Sequence, residues 1–509
     1  MSGQDLKTIR LNPADNVAVA VSELSPGMVP PSEGIAVAEP IPRGHKLSVA
    51  SIAKGEPVRK YDQIIGFAST DIGAGQHVHT HNLAMADFAR DYRIGEETRP
   101  TAMVTETERA TFQGIVRADG RVATRNYIGV IATVNCSGAV ARFIADHFRG
   151  PEMDPYPNVD GVVALSHGSG CCMADDREGY TYLQRVLAGY AKHPNFAGIL
   201  FIGLGCEVAQ VNLVMQSGGI EQGPLARGMV IQENSGTKAT VAKGIAQIAE
   251  MLTLANDVRR REVPASHLIL GMECGGSDAY SGISANPALG AAADLVVGHG
   301  GTAVFGETPE IYGAEHLLTR RAVHRDVGEK LLALIRWWED YTARNGGEMN
   351  NNPTPGNKAG GLTTILEKSL GAAAKGGTTN LVDVYGFAER ITAKGLVFMD
   401  TPGYDPVSIT GMVAGGANVI GFTTGRGSVF GGKPAPSFKL ATNTPMFERL
   451  ADDMDVNCGL VVDGEASVEE MGERIFTMIL DIASGAKTKS ELLGFGDEEF
   501  VPWQIGAVM

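Results

Sequence analysis

Five of the six cysteines in this sequence lie in Gly-rich polar segments that directly follow short apolar runs. Thiolates bind soft metals such as iron and zinc, and a metal or iron–sulfur site built from separate strand ends would require this placement. The alternative is that small thiols simply pack into tight turns. We favour ligation, and because the adjacent Cys171 and Cys172 do not easily face one site, the predicted ligands are Cys136, Cys171, Cys206 and Cys274.

Carboxylates provide a second set of candidate metal ligands. Glu307 and Glu310 follow the apolar run 302–305, and Asp278 follows Cys274 at a short distance. Oxygen ligands suit a harder cation, so these three carboxylates are the fallback site. Cys458 has no such loop around it and is predicted to be a core residue.

Four histidines lie in the first eighty-one residues, namely His45, His77, His79 and His81. If the segment 76–82 is extended, alternation places the last three imidazoles on one face, where they can hold a metal or contact an anionic ligand. A solvated edge that happens to carry three histidines is the alternative.

Two cations lie in Gly-rich segments. Lys358, in a segment too rich in Gly and Pro to predict a helix, suits carboxylate binding or proton transfer, although a surface lysine is more common. Arg426, between two glycines, suits bidentate binding of a carboxylate. The segment 203–207 lacks the third glycine of a dinucleotide fingerprint, so a nicotinamide cofactor is not indicated.

The elements that must position these residues are of two kinds. Alternating runs at 17–21, 46–52 and 63–68, separated by Pro/Gly turns, predict a small β domain over residues 1–82. A charged linker follows at 83–112. Beyond it, apolar runs alternate with helical patterns, as expected for parallel strands that are covered on both faces. The clearest predicted strands are 128–134, 161–165, 197–202, 268–272, 302–305, 396–399 and 419–422, and the clearest helices are 139–148, 182–190 and 327–341. We divide this α/β main body at Val263-Pro264 into a middle domain, 113–262, and a C-terminal domain, 263–509.

Composition limits the class of protein. The chain has 509 residues with 58 Asp plus Glu against 43 Lys plus Arg, a net charge of −15. This acidic balance disfavours nucleic acid as a partner, because phosphate binding needs a basic surface. No apolar run reaches the roughly 18 residues of a membrane span, and the first residues lack a signal-peptide pattern, so we expect a cytoplasmic protein.

Eight motifs in order along the chain carry a family resemblance. They are ArgGlyHisLys at 43–46, HisValHis at 77–79, ThrArgAsn at 124–126, GlyLeuGlyCysGlu at 203–207, CysGlyGlySerAsp at 274–278, IleSerAlaAsnPro at 283–287, ProGlyAsnLysAlaGlyGly at 355–361 and ThrThrGlyArgGly at 423–427. The sequence resembles the altronate/galactarate dehydratase family over nearly its whole length, and related sulfolactate sulfo-lyases share most of these motifs. The histidine-rich segment is more similar to altronate enzymes.

This resemblance implies an N-terminal β-clip (SAF-type) domain, a middle domain used in homodimer formation, a Rossmann-like C-terminal domain, and iron-dependent loss of water from a sugar acid. The iron is either Fe²⁺ or an iron–sulfur cluster. The predicted catalytic residues are His167, which directly follows a strand, and Lys358. The predicted substrate-binding residues are His45, His77, His79, Ser277, Asp278 and Arg426. The rival functions are a carbon–sulfur lyase acting on a sulfonated hydroxy acid and a non-catalytic sugar-acid binding protein.

Overall fold

The computed structural model describes residues 8–86, 88 and 90–505, so the ends of the predicted first and last domains, 1–7 and 506–509, lie outside the described residues. The N-terminal domain consists of short antiparallel strands in two sheets, of order β1-β2-β3-β6 and β4-β5-β7. The strands are Thr8–Ile9 (β1), Val17–Ala20 (β2), Lys46–Ser48 (β3), Pro57–Lys60 (β4), Gln63–Ala68 (β5), His77–Val78 (β6) and Leu83–Ala84 (β7). The last strand extends two residues beyond the predicted boundary because it pairs with β5.

Where the structure describes it, the predicted linker packs against the C-terminal domain. Arg90 forms an ion pair with Glu315 at 3.1 Å, and the Val104 amide donates to Gly298 O at 2.8 Å. This segment therefore runs along the surface of the C-terminal domain. It ends in an antiparallel sheet of order β14-β8-β9, formed by Thr111–Val116 (β8), Val122–Ala123 (β9) and Arg261–Pro264 (β14). Strand β14 lies across the predicted boundary at Val263.

The middle domain is a parallel four-stranded sheet of order β11-β10-β12-β13. Its elements are Tyr127–Ala132 (β10), Gly138–Asp146 (α1), Gly161–Leu165 (β11), Glu178–Ala191 (α2), Phe196–Gly203 (β12), Val211–Ser217 (α3), Ala226–Val230 (β13) and Thr237–Ala255 (α4). Every residue of β10 is buried, since α1 and α4 pack on one face and α2 on the other. This agrees with an apolar run that shows no alternation.

The C-terminal domain contains a seven-stranded, fully parallel sheet of order β17-β18-β16-β15-β19-β20-β21. The strands are Ile269–Cys274 (β15), Thr302–Phe305 (β16), Leu381–Tyr385 (β17), Gly395–Met399 (β18), Val419–Thr424 (β19), Ser437–Ala441 (β20) and Val456–Asn457 (β21). The helices are Ala285–Gly298 (α5), His316–Thr319 (α6), Arg325–Arg344 (α7), Pro355–Ala359 (α8), Ile365–Ala373 (α9), Asp405–Gly415 (α10), Thr444–Arg449 (α11), Leu460–Asp463 (α12), Val468–Ala483 (α13) and Lys489–Leu493 (α14). The predicted α/β body with parallel sheets is confirmed.

The N-terminal domain shares its apolar core with the C-terminal domain. Val58 and Ile65 pack in one buried cluster with Leu370 and Ala373 of α9. The interface between the two domains is therefore fixed by packing as well as by the polar contacts described below. Among the described residues, none of the helices has the length and hydropathy that a membrane span requires.

Candidate active site

The carboxyl edge of the seven-stranded sheet has a topological switch point between β15 and β19. From β15 the chain continues to β16 on one side, and it later enters β19 on the other side. Open parallel sheets bind ligands in the crevice at such a point. The loops after the two strands are joined there, because Gly276 O accepts hydrogen bonds from the amides of Gly425 (3.1 Å) and Arg426 (2.9 Å). Arg426 itself is exposed at this crevice.

Asp278 ties these loops to the loop after β20. Its carboxylate accepts hydrogen bonds from Thr442 Oγ1 at 3.0 Å and Asn443 Nδ2 at 3.2 Å. Burial raises the pKa of Asp278, although these donors act against the rise. Asp278 and Ser277 are both buried, so the structure places them as residues that shape the crevice. Direct contact of either side chain with a substrate stays a prediction.

Lys358 lies on a short helix and not in the irregular loop that we predicted. Helix α8 begins after Thr354, whose hydroxyl accepts from the Asn357 amide, while Asn357 Oδ1 accepts from the Thr354 amide at 2.9 Å. Pro355 occupies the first helical position, where no N–H is needed. Thr354-Pro355 is a recognised sequence signal for the start of a helix, but the Gly and Pro content of the segment led us to predict a loop. Asn357 also donates to Ser277 O at 2.9 Å, which holds α8 beside the crevice.

The four N-terminal histidines form one cluster against α8, here called the histidine group (His45, His77, His79 and His81). The ring centroid of His45 lies 5.1 Å from that of His77 and 4.6 Å from that of His79, and His77 and His81 are 5.2 Å apart. His79 Nε2 is 3.0 Å from Lys358 O, and His45 Nε2 is 3.4 Å from the next carbonyl oxygen. The structure thus brings the predicted histidines to the C-terminal domain.

Hydrogen bonding assigns the protons within the histidine group. A carbonyl oxygen only accepts, so Nε2 of His45 and of His79 each carry a hydrogen. His45 Nδ1 then accepts from His77 Nε2, 3.0 Å away, which leaves His77 Nδ1 unprotonated. Burial, reinforced by neighbouring positive charge, lowers the pKa of His77 to about 3 and that of His79 to about 4, and burial also lowers that of His45. These imidazoles are neutral at pH 7, as a proton acceptor must be.

A buried ion triad holds the histidine group in place. Glu367 of α9 pairs with Lys46 at 2.9 Å and Lys60 at 3.0 Å, and all three side chains are at most 1% exposed. Burial raises the pKa of Glu367, but the two ammonium groups lower it by more, to about 2. Both lysines belong to the N-terminal domain, so an ionised Glu367 fixes that domain on the C-terminal domain.

A cavity of about 530 Å³ lies beside the histidine group and α8. It is lined by Lys358, Glu348 and Asn350 from the C-terminal domain and by Thr80 and residues 83–86 from the N-terminal domain. This volume falls within the usual range of small-ligand pockets. Its lining comes from two domains and combines polar side chains with the apolar residues 83–86.

Cys274, Glu307 and Glu310 form a buried cluster below the ends of β15 and β16, here called the acidic cluster. Their ligand atoms lie within 4.8 Å of one another. Lys375 Nζ is 2.6 Å from Glu307 Oε2 and 2.9 Å from Cys274 Sγ, and Lys368 Nζ is 2.7 Å from Glu310 Oε1. The fallback carboxylates therefore meet each other and Cys274, whereas Asp278 is held elsewhere.

The acidic cluster fits a divalent cation. Glu273 and Asp405 adjoin it, so four carboxyl groups face two ammonium groups. Burial and the charge of Glu307 raise the pKa of Glu273 well above its usual value and that of Asp405 to about 7. The Oε1 atoms of Glu273 and Glu307 are buried without a hydrogen-bond partner among the described residues. Oxygen and thiolate ligands with spare lone pairs are what a bound metal would satisfy.

The structure does not bring all four predicted thiol ligands together. Cys274 is buried in the C-terminal domain, whereas Cys136, Cys171 and Cys206 are exposed at the carboxyl edge of the middle-domain sheet. Both sheets end their strands in polar Gly-rich loops, so the sequence pattern does not distinguish one edge from the other. A single iron ligated by all four thiolates is therefore not what the described geometry supports. Cys458 is buried in the core, as predicted.

His167 also lies in the middle domain, apart from the histidine group. Its Nε2 donates to Ala132 O at 3.0 Å, and its Nδ1 accepts from the Ser169 amide at 3.2 Å. Burial lowers its pKa to about 4. Both ring nitrogens join strand β10 to the loop after β11, and His167 also lines a cavity of about 290 Å³ in the middle domain. Its role as catalytic base stays a prediction.

Sequence reasoning missed several polar residues of the site. Arg43 lies over the Tyr280 ring at 5.5 Å, and its buried Nε has no hydrogen-bond partner among the residues that the structure describes. The ArgGlyHisLys motif at 43–46 is the sequence pattern that could have indicated Arg43. Lys368 and Lys375 carried no signal, because each lies among apolar residues like an ordinary helix-surface lysine.

Three family models match this chain. They are D-galactarate/Altronate dehydratase, C-terminal, over residues 265–508, D-galactarate dehydratase/Altronate hydrolase, second domain, over 114–256, and the Altronate/galactarate dehydratase SAF domain over 6–86. The chain belongs to the galactarate/altronate dehydratase family. The N-terminal domain is accordingly a SAF domain.

Relatives of this family align over most of the chain. Galactarate dehydratase (L-threo-forming) of Escherichia coli (strain K12) is 37% identical over 488 residues, which cover 94% of this chain and 93% of that protein. Altronate dehydratase of Bacillus subtilis (strain 168) is 33% identical over 95% of this chain and 96% of its own. The (2R)-sulfolactate sulfo-lyase subunit beta of Chromohalobacter salexigens is 33% identical over 78% of this chain and 98% of its own.

Proposed function

We propose that this protein is a hydro-lyase that removes water from a sugar acid of the altronate or galactarate type and releases a 2-keto-3-deoxy acid. Similarity to dehydratases of both acids over more than nine-tenths of the chain supports the reaction class. The observation that carries the proposal is the set of neutral imidazoles of His45, His77 and His79, which lies against α8 and Lys358 beside the switch-point crevice. Lys358 lines the cavity there, and its carbonyl oxygen contacts His79.

Dehydration of a 2,3-dihydroxy acid needs a base for the α-proton, donors for the carboxylate, and a proton for the departing β-hydroxyl. His77 Nδ1 accepts the α-proton, since it is unprotonated, whereas the other unprotonated nitrogen, His79 Nδ1, lies 3.1 Å from the hydroxyl of Thr80, which can donate to it. Lys358 and Arg426 hold the carboxylate, on which negative charge grows as the enediolate forms. The β carbon–oxygen bond then breaks, the hydroxyl takes the proton that His77 removed from the α-carbon and leaves as water, and the enol tautomerises to the ketone. A bound carboxylate raises the basicity of a neighbouring imidazole, which offsets the low pKa of His77.

We assign the iron that the family resemblance implies to the acidic cluster, with Cys274, Glu307 and Glu310 as its ligands. Its excess of carboxyl groups and its unpartnered oxygens support this assignment. A cation bound there supplies Lewis-acid stabilisation of charge on the substrate. Glu310→Gln is expected to lower bound iron in anaerobically prepared protein, as measured by elemental analysis, with Asp383→Asn at a surface ion pair as the control.

A panel of substrates tests the reaction. Anaerobic, iron-replete protein is incubated with altronate, galactarate, other aldonates and aldarates, and sulfolactate, and 2-keto-3-deoxy acids and sulfite are measured separately. We expect a keto-deoxy acid from at least one hexonate or hexarate and no sulfite. Sulfite from sulfolactate without dehydration would instead establish the carbon–sulfur lyase, which the sulfo-lyase relative makes the second candidate. Binding of a sugar acid without turnover would indicate a binding protein.

The homodimer that the resemblance implies is part of this proposal. Phe143 of α1 and Leu254 of α4 are large apolar side chains that remain 58% and 48% exposed in the middle domain. Such positions suit an interface with a second copy. Light scattering is expected to give twice the chain mass, and Phe143→Glu to shift it towards the monomer.

A further inference from the structure

Four exposed thiols lie together at the carboxyl edge of the middle-domain sheet, here called the thiol patch (Cys136, Cys171, Cys172 and Cys206). Cys136 follows β10, the vicinal pair follows β11, and Cys206 follows β12. These three strands are neighbours in the order β11-β10-β12, so their loops meet above one edge. The proposed dehydration chemistry uses none of these residues.

Hydrogen bonds join the three loops of the thiol patch directly. The Asn135 amide donates to Ser169 O at 3.0 Å, and the Ala209 amide donates to Gly170 O at 3.1 Å. The loop that carries Cys206 is closed on the buried Glu207, whose carboxylate accepts from the Gly205 amide at 2.6 Å and from Thr133 Oγ1 at 3.1 Å. The thiols are thus presented on loops that brace one another, which is how a ligand set is preorganised.

The sulfur atoms are close but are not arranged for one ion. Cys171 Sγ lies 3.6 Å from Cys172 Sγ. Two thiolates bound to one tetrahedral ion at about 2.3 Å each are at most about 4.6 Å apart. No trio of these thiols belongs to the sets of described ligand atoms within 4.8 Å, so the spacing exceeds that of a single-ion site.

We infer that the thiol patch binds an iron–sulfur cluster of the [4Fe–4S] type through Cys136, Cys206 and one cysteine of the vicinal pair. In such a cluster each thiolate binds a different iron of a shared core, so the sulfurs stand farther apart than on one ion. Three thiolates leave one iron without a cysteine ligand, and the exposure of the patch gives external ligands access to it. This site lies outside the acidic cluster, and the inference does not depend on the proposed dehydration.

The full-length protein, prepared anaerobically and reconstituted with ferrous iron and sulfide, provides the test. We expect about four acid-labile sulfide atoms per chain, about four iron atoms in addition to any iron in the acidic cluster, a brown visible absorption, and a paramagnetic signal after one-electron reduction. Cys136→Ser, Cys206→Ser and the double variant Cys171→Ser/Cys172→Ser should each lose most of the sulfide and the visible absorption. These thiols are exposed, so the variants are expected to keep the fold, which circular dichroism checks.

Two matched controls separate this site from the one proposed for catalysis. Cys274→Ser and Cys458→Ser change buried thiols elsewhere and should keep the absorption and the sulfide. The inference is overturned if wild-type protein binds no sulfide, if it binds zinc in place of iron, if Cys171 and Cys172 form a disulfide that survives reconstitution, or if Cys274→Ser removes the cluster signal. Loss of turnover in Cys274→Ser with an intact cluster would leave the inference standing and bear only on the dehydration site.

Discussion

The two parallel sheets present their carboxyl edges in very different ways. At the edge of the seven-stranded sheet, Cys274, Glu307 and Glu310 are buried and paired with lysines, and the SAF domain packs on α9, the helix that carries Lys368. At the edge of the four-stranded sheet, Cys136 and Cys206 are exposed, and no lysine neutralises them among the described contacts. Both edges lie at switch points of their sheets.

This difference shows that strand-end position locates a site but does not set its chemistry. Carboxylates and lysines in a dry crevice favour a hard cation and polarisation of an oxygen-rich substrate. Thiols at an open edge favour soft metals. The SAF domain packs on α9 of the C-terminal domain and brings the histidine group against α8.

The largest effect on activity is expected from substitution of Lys358. Such an effect would locate the reaction at the edge of the seven-stranded sheet. Replacing it with Met removes the ammonium but keeps the length of the side chain. We expect kcat to fall by about 10²- to 10³-fold, the usual cost of losing one preorganised donor to the charge that develops in the transition state, with little change in thermal stability. Lys54→Met, at an exposed position of the SAF domain, is the matched control. Equal activity of the two variants would show that Lys358 takes no part in the reaction.

Glu367 tests whether docking of the SAF domain on the C-terminal domain depends on the buried ion triad. Glu367→Gln leaves Lys46 and Lys60 buried without a counter-charge, so we expect the free energy of unfolding to fall by about 3–5 kcal/mol. Asp383→Asn removes an exposed ion pair with Lys330 and should cost at most about 1 kcal/mol. Chemical denaturation measures both. A small loss for Glu367→Gln would show that apolar packing alone docks the SAF domain.

Arg426 tests what one bidentate contact to the substrate contributes at the same edge. Arg426→Lys keeps the charge but loses the bidentate fork, so we expect kcat/KM to fall by about 10- to 100-fold, the equivalent of one charge-assisted hydrogen bond at about 1.5–3 kcal/mol. The melting temperature should be unchanged, because the side chain is exposed. Full kinetics in this variant would remove Arg426 from the site.

The smallest effect concerns the pH dependence of stability. His77 and His79 have folded-state pKa values of about 3 and about 4, below the value near 6.5 of the unfolded chain. The unfolded state therefore binds more protons in this window, so their contribution is fully present above pH 6.5 and is lost as pH falls towards 4. Wild-type protein should lose melting temperature between pH 7 and pH 5 more steeply than His77→Asn/His79→Asn. If melting temperature depends on pH in the same way in both proteins, the imidazoles are not desolvated.

Much of the fold was predictable, because buried parallel strands such as β10 and β19 are uninterrupted apolar runs. Strand β20 was not predicted, since Lys439 interrupts it, and the structure shows that this lysine is buried and donates to Phe430 O. The extended segment 76–82 on which the histidine prediction depended is a strand only at His77–Val78 and turns after it, so the imidazoles meet by a turn and not by alternation. Helix α8 was not predicted, because a capping box is a weak signal beside Gly and Pro. The division of cysteines between two sheets depends on strand order, which one sequence does not contain.

Diffraction from crystals soaked anaerobically with an unreactive analogue of a hexaric acid tests the central account most directly. We predict density for a carboxylate in contact with Lys358 or Arg426 and hydroxyls facing the histidine group, between the SAF domain and the seven-stranded sheet. A ligand bound instead beside Cys136 and Cys206, with the crevice below the SAF domain empty, would contradict the account and move the reaction to the middle domain.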